Sequence, residues 1–267
     1  LANKEVRQAL EMVIDRPAII ATALKNYGLP VTGPLTATTT TLNTTTTAST
    51  SASSSLAFDE ARALLVSKGW TWDQTNKIWE KKGKKDTVTL AFTISTSDTP
   101  ELKQTAELVR QAWLKLGAKV ELKVFEIGDL NQNVIRPRQY DTLFFGEILG
   151  RNPDLYAFWH SSQRLDPGLN IALYTNSRAD KLLEEARRSA DSEKITELYN
   201  SFSQEIASDV PAVFIYAPEF LYLLPEKVKG VTLPAINTAA DRFLNISHWY
   251  IKTDRVWNFF ADDNNKI

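Results

Sequence analysis

The chain has 267 residues, a formal net charge of −1, 43% hydrophobic residues, two histidines and no cysteine. That is apolar matter enough for one large domain or two smaller ones, while the near-neutral charge, with no dense Lys/Arg stripe, excludes a surface built to neutralise a phosphate backbone. The absent thiols exclude disulfides, thiolate catalysis and Cys-type zinc sites, and no apolar run reaches the ~18 residues that a transmembrane helix needs.

Residue 1 is Leu, and "LANKEVRQALEMVIDR" already reads as helix, so the sequence is expected to start part-way through a longer, processed or truncated product; no signal peptide is legible. Val6, Ala9, Leu10, Val13, Ile14, Ile19, Ile20 and Leu24 recur at helical spacing. Asp15 caps a second helix with Pro17 in its first turn, and the Gly/Pro-rich "YGLPVTGPL" ends it. Residues 36–55, "TATTTTLNTTTTASTSASSS", carry no charge and almost no large apolar side chain. Such a tract buries too little surface to offset its ordering entropy and is expected to be a solvated loop or spacer.

"FDEARALLVSKGW", 58–70, predicts a short amphipathic helix closed by Gly69. The following 71–95 predict a β-hairpin and strand, with Trp72 and Trp79 flanking a polar turn and 87–95 alternating toward a core face. Asp98 or Thr99 caps a helix over 100–117, Pro100 opens it and Gly117 stops it. "KVELKVFEI" is then a strand, and strand–helix–strand implies a parallel pair with a right-handed crossover. A short helix near 128–135 leads to the strand "YDTLFFGEI". Two helices over 178–209, an apolar strand or strand pair in "VPAVFIYAPEFLYLL" and an irregular aromatic tail follow. Alternating strands and helices give an α/β fold.

Chemistry is sparse. His160 and His248 lie far apart, neither with a second ligand at helical metal spacing, and there is no phosphate-cradling glycine loop and no nucleophile elbow. Acidic pairs such as Glu184/Glu185 read as solvated faces. The stretch "FFGEILGRNPDLYAFWHSSQ", 144–163, stands out because an apolar segment runs into a charged turn, three aromatics and a histidine. His160 fits either a cleft-lining contact or a structural histidine bonded to a loop carbonyl, and Phe158 or Trp159 fits the core. Arg151 and Asp154 fit either a ligand contact or a mutual turn-stabilising pair. No enzyme activity, metal or cofactor is expected.

Several segments together resemble the extracellular solute-binding proteins, family 5, of peptide and nickel ABC transporters: "VRQALEMVIDRPAII" with "YGLPVTGPL", "FDEARALLVSKGW", "ELVRQAWLKLGAKVEL", "YDTLFFGEILGRNPDLYAFWHSSQ", "ADKLLEEARRSAD" and "VPAVFIYAPEFLYLLPEKVKGV". Their order and spacing cover nearly the whole chain; the Thr/Ser tract departs from the family pattern. The resemblance implies a type II periplasmic-binding-protein-like lobe, a mixed sheet flanked by helices. Residues 1–218 would form the second lobe, and 219–267 would return to the first lobe, so that the chain is the C-terminal half. It implies a binding role for peptides or another small solute, an extracytoplasmic, periplasmic or membrane-anchored location, and as partners the first lobe of the same protein and a transporter permease, with no nucleic acid. The loop after "YDTLFFGE" would contact the ligand through Phe145, Gly146, Glu147, Ile148, Leu149, Arg151, Asn152, Asp154, Tyr156 and His160. The family's aspartate for a peptide's free α-amine falls at Leu149 or Gly150 here, which carry no charge; Arg151 could instead hold a carboxylate bidentately. The alternative is a protein-interaction module derived from this fold; a hydrolase is third.

Overall fold

A computed structural model describes residues 1–35, 54–84, 86–149, 154–233, 236 and 238–251, so most of the Thr/Ser tract and much of the aromatic tail lie outside the described residues. The chain divides into two compact units: residues 1–147 with 154–218, and 148–153 with 219–267.

The first unit is organised by a parallel sheet of β5 (Ala91–Ser97), β6 (Lys119–Phe125) and β7 (Thr142–Leu143), in the order β6-β5-β7. Between β5 and β6 runs α4 (Pro100–Leu116), opened by Pro100 and closed by Gly117 at φ 109°. A side chain at Gly117 would also strike the ring of Trp72 at 2.3 Å, so glycine serves there both the left-handed turn and a close approach. Strand side chains alternate between faces. Phe92, Ile94 and Val120 join Ala106, Val109, Trp113 and Leu116 of α4 in the main core, which also takes residues of α1 (Lys4–Met12), α2 (Arg16–Ala23) and α3 (Ser54–Ser67). Phe125, Leu143 and Phe145 pack instead on Leu130, Val134 and Ile135. Those three come from a π-helical segment, Leu130–Ile135, that continues the short α5 (Ile127–Asp129), where a plain helix was expected. Helical layers thus cover the sheet on both faces, the α/β arrangement read from the sequence.

The buried indoles are wired to the backbone: Trp113 Nε1 donates to the Leu10 carbonyl and Trp79 Nε1 to that of Leu116, both at 2.9 Å. Asp15 caps α2 through the Ala18 N–H, as read from the sequence.

Four expectations need correction. Residues 87–95 are not one strand: β4 (Thr87–Thr89) and β5 lie in different sheets, and the hand-over is Leu90, buried, with its N–H on the Trp79 carbonyl and its carbonyl on the Lys119 N–H. β4 completes an antiparallel three-stranded sheet with β2 (Thr71–Asp73) and β3 (Ile78–Lys82), in which Trp72 and Trp79 are cross-strand partners packed edge to face. The helix predicted from 58 begins at Ser54, taking in the end of the Thr/Ser tract. The strand of 140–148 shrinks to Thr142–Leu143 because the chain leaves the sheet edge after Phe144. The apolar run 210–224 contributes only β8 (Tyr216–Pro218), paired antiparallel with β1 (Gly28–Pro30). Before β8, Arg16 holds the chain by donating to the Phe214 carbonyl at 2.7 Å. Two helices, α7 (Ser177–Arg188) and α8 (Ser192–Asp209), pack together as expected, each capped by an Asn or Asp side chain.

In the second unit, β9 (Val228–Lys229) pairs antiparallel with β10 (Tyr250–Ile251). Phe220, Tyr222, Phe243 and Trp249 pack on one another, and the Arg242 guanidinium lies over the rings of Phe220, Tyr222 and Phe243. Leu221, Leu223, Leu244 and Ile246 are exposed.

Candidate functional site

The strand order puts β5, the first strand of the parallel sheet, in its centre. The chain goes out to β6 on one side and comes back to β7 on the other, so the winding reverses between β5 and β7. In open α/β sheets the crevice for ligands lies at such a reversal, beyond the carboxyl ends of the strands. Two segments meet there. Ser95, Thr96 and Ser97 end β5, all three buried. Phe144 ends the β7 pairing: its N–H donates to the Ser95 carbonyl at 2.8 Å, and its carbonyl accepts from Thr96 Oγ1 at 3.0 Å. Ser97 Oγ donates onward to Thr99 Oγ1. This hydroxyl run was not picked out from the sequence, although "TISTS", polar at the end of an apolar strand, was the available signal.

Phe145 packs half-buried on the π-helical segment. From Gly146 the chain turns outward, and a side chain added there would meet nothing within 4 Å. Glu147 is exposed at its surface but crowded by protein behind it, and this loss of solvation pushes its carboxyl up to about 7. Ile148, 77% exposed, and the half-buried Leu149 belong to the second unit. Gly150, Arg151 and Asn152 lie outside the described residues.

The chain re-enters the first unit at Asp154 and is tightly held from there. Leu155 and Trp159 are buried, the indole of Trp159 packing among Tyr174, Phe202 and Phe214. Tyr156 opens α6 (Tyr156–Trp159) and stacks on the His160 ring at 4.1 Å. The Arg187 guanidinium of α7 lies 4.6 Å from the Tyr156 ring centre and pairs with Asp154 at 3.3 Å. Asp154 is therefore committed to Arg187.

His160 is buried. Its Nδ1 accepts the Ser162 N–H at 3.1 Å and lies 2.8 Å from Ser162 Oγ. That assigns the ring proton of the neutral form to Nε2, which lies 3.4 Å from Glu184 and 3.9 Å from Asp180 without hydrogen-bond geometry. Asp180 also accepts the Ser161 N–H at 2.9 Å. Glu184 is thus not the plain solvated face expected of it: α7 packs against α6 and brings that carboxylate to the histidine. Asn170, fully buried, donates to the carbonyls of Trp159, His160 and Tyr174 and accepts the Tyr174 N–H. Sequence reasoning missed it, because a lone Asn in a loop carries no distinguishing pattern.

Among the described residues no cluster of His, Cys, Asp and Glu could hold a metal, and no helix is long and apolar enough to cross a membrane. The arrangement is a polar, half-open strand end beside a locked aromatic turn, suited to holding a solute by contact. The model for bacterial extracellular solute-binding proteins, family 5, matches residues 1–170. The chain belongs to that family. It is 29% identical over 251 residues to the oligopeptide-binding protein AppA of Bacillus subtilis, covering 93% of this chain and 44% of the relative. With the nickel-binding protein NikA of Staphylococcus aureus it shares 21% identity, over 85% of this chain and 42% of the relative. It thus spans less than half the length of either relative. The structure of Bacillus subtilis AppA in complex with a nonapeptide superposes with a TM-score of 0.71 at 25% identity, covering 94% of this chain and 48% of that one. The fold is that of a type II periplasmic binding protein lobe.

Proposed function

We propose that this chain is the second lobe of the substrate-binding component of an ABC importer, which takes up peptides or a related small solute outside the cytoplasm and delivers them to a permease. The observation that carries this reading is the open strand end at Gly146 and Glu147, at the winding reversal of a family-5 lobe. The peptide named for AppA, both in its description and in its solved complex, supports peptide over metal as the solute class. The ligand is gripped between this lobe and a first lobe, contacting Phe145–Leu149 and, beyond the described residues, Arg151 and Asn152. Asp154, Tyr156 and His160 act one step back and hold the loop's far end. Closure of two lobes over a solute excludes water, and peptide main-chain groups are satisfied by hydrogen bonds while side chains occupy roomy, hydrated space.

Residues 219–267 are read as the return segment to the first lobe, and the exposed Leu221, Leu223, Leu244 and Ile246 support that, since contiguous apolar surface favours a covering partner. The same residues are the one observation favouring an interaction module instead; that reading expects stable homo-oligomers by light scattering and no solute. The deciding experiment is calorimetric titration of peptide mixtures into this chain joined to its first lobe. Saturable heat with peptides, and none with the chain alone, is the expected outcome; no heat with any peptide mixture refutes the importer reading.

A further inference from the structure

We propose that Glu147 selects the solute by charge, and that the bound peptide presents an ammonium or guanidinium group to it. The inference rests on the peptide-binding reading above and specifies which peptides satisfy it.

The argument starts from the acids that follow the carboxyl ends of the three parallel strands. After β6, Glu126 accepts the N–H groups of Gly128 and Asp129 at 2.8 and 3.1 Å and is used as a helix cap. Asp129 accepts the Asn133 amide at 2.6 Å. After β5, Asp98 is fully in the solvent. After β7 comes Glu147, for which the described residues supply no cation and no hydrogen-bond donor. Farther along the loop, Asp154 is neutralised by Arg187 at 3.3 Å. Glu147 alone of these is both short of solvation and short of a partner among the described residues.

A carboxylate in that condition is costly to ionise, and a counter-charge brought by a ligand relieves the cost. Gly146 leaves the space in front of it free of any side chain. Charge-assisted hydrogen bonds are roughly twice as strong as neutral ones, so one cation is enough to sort peptides. The coupling is reciprocal. A bound cation holds Glu147 ionised, so affinity for a cationic peptide rises with pH through about 7, where the empty site loses its proton, and affinity for a neutral peptide does not.

The test is calorimetry on this chain joined to its first lobe, at pH 8 and pH 5.5, for the wild type and Glu147→Gln. The probes are Ala-Ala-Lys-Ala-Ala and its norleucine isostere, each with a free and an acetylated N-terminus. At pH 8 the wild type is expected to prefer the cationic member of a matched pair by about tenfold. The preference shrinks at pH 5.5 and falls to near unity in Glu147→Gln. A preference seen between the acetylated peptides assigns the contact to the lysine side chain; one seen only on acetylating the norleucine peptide assigns it to the α-amine. Peptides that bind without regard to charge, or a preference that survives in Glu147→Gln, overturn the inference and leave the peptide-binding reading standing. Failure of all four peptides to bind overturns both.

Discussion

The two ends of the stretch 144–163 are built on opposite principles. Its far end, from Asp154, is anchored at every level: Trp159 and Leu155 in the core, Asn170 on three carbonyls, His160 between Tyr156 and the acids of α7, Asp154 on Arg187. The near end, Gly146 and Glu147, leaves the sheet with open space beside it and an acid that no described residue satisfies. One end spends its polar groups on the protein itself, while the other keeps them for something else. A loop that must meet a variable solute needs a fixed root, and the locked turn supplies it.

Breaking the locked end should cost stability first. Trp159→Ala removes an indole packed against Tyr174, Phe202 and Phe214, and a loss of ~3–5 kcal/mol is expected in denaturant unfolding. Asn170→Ala strands three buried carbonyls and should cost about 2–3 kcal/mol in the same assay. Arg187→Ala removes an ion pair between half-exposed side chains and the cation over Tyr156, for which at most about 1 kcal/mol is expected. A loss there as large as that of Trp159→Ala would mean that the anchor is electrostatic, not packed.

The open end should respond to pH instead. The native Glu147 carboxyl titrates near 7, above its unfolded value of 4.5. Between those values the folded state holds a proton that the unfolded state has released, so this residue's contribution to stability is lost as pH rises from about 4.5 to about 7 and is level beyond. The surface exposure of the side chain keeps the effect small. Glu147→Gln is expected to flatten that part of the stability–pH curve; an unchanged slope would show that the carboxyl is solvated after all.

Much of this organisation was legible in the sequence, for identifiable reasons. The stripe Ala106, Val109, Trp113, Leu116, with Pro100 before it and Gly117 behind it, announces α4 by local rules alone. That a ligand loop follows "YDTLFF" comes from strand–helix alternation plus the general placement of loops at strand ends. The hand-over at Leu90 was hidden because 87–95 alternates without interruption; only distant partners, Trp79 and Lys119, divide it between two sheets. Asp180 and Glu184, one helical turn apart on α7, are visibly on one face, but nothing local says that this face meets His160. The hydroxyls of Ser95, Thr96 and Ser97 were passed over because burial, which makes them notable, is a tertiary property.

The most direct test of the central claim, that the open end touches solute while the locked end only supports it, is peptide titration of Gly146→Trp in this chain joined to its first lobe. The position has room for a side chain, so the melting temperature should stay where it is. Loss of peptide binding at an unchanged melting temperature is the expected result. Wild-type affinity in a variant with an indole standing at Gly146 would contradict the account.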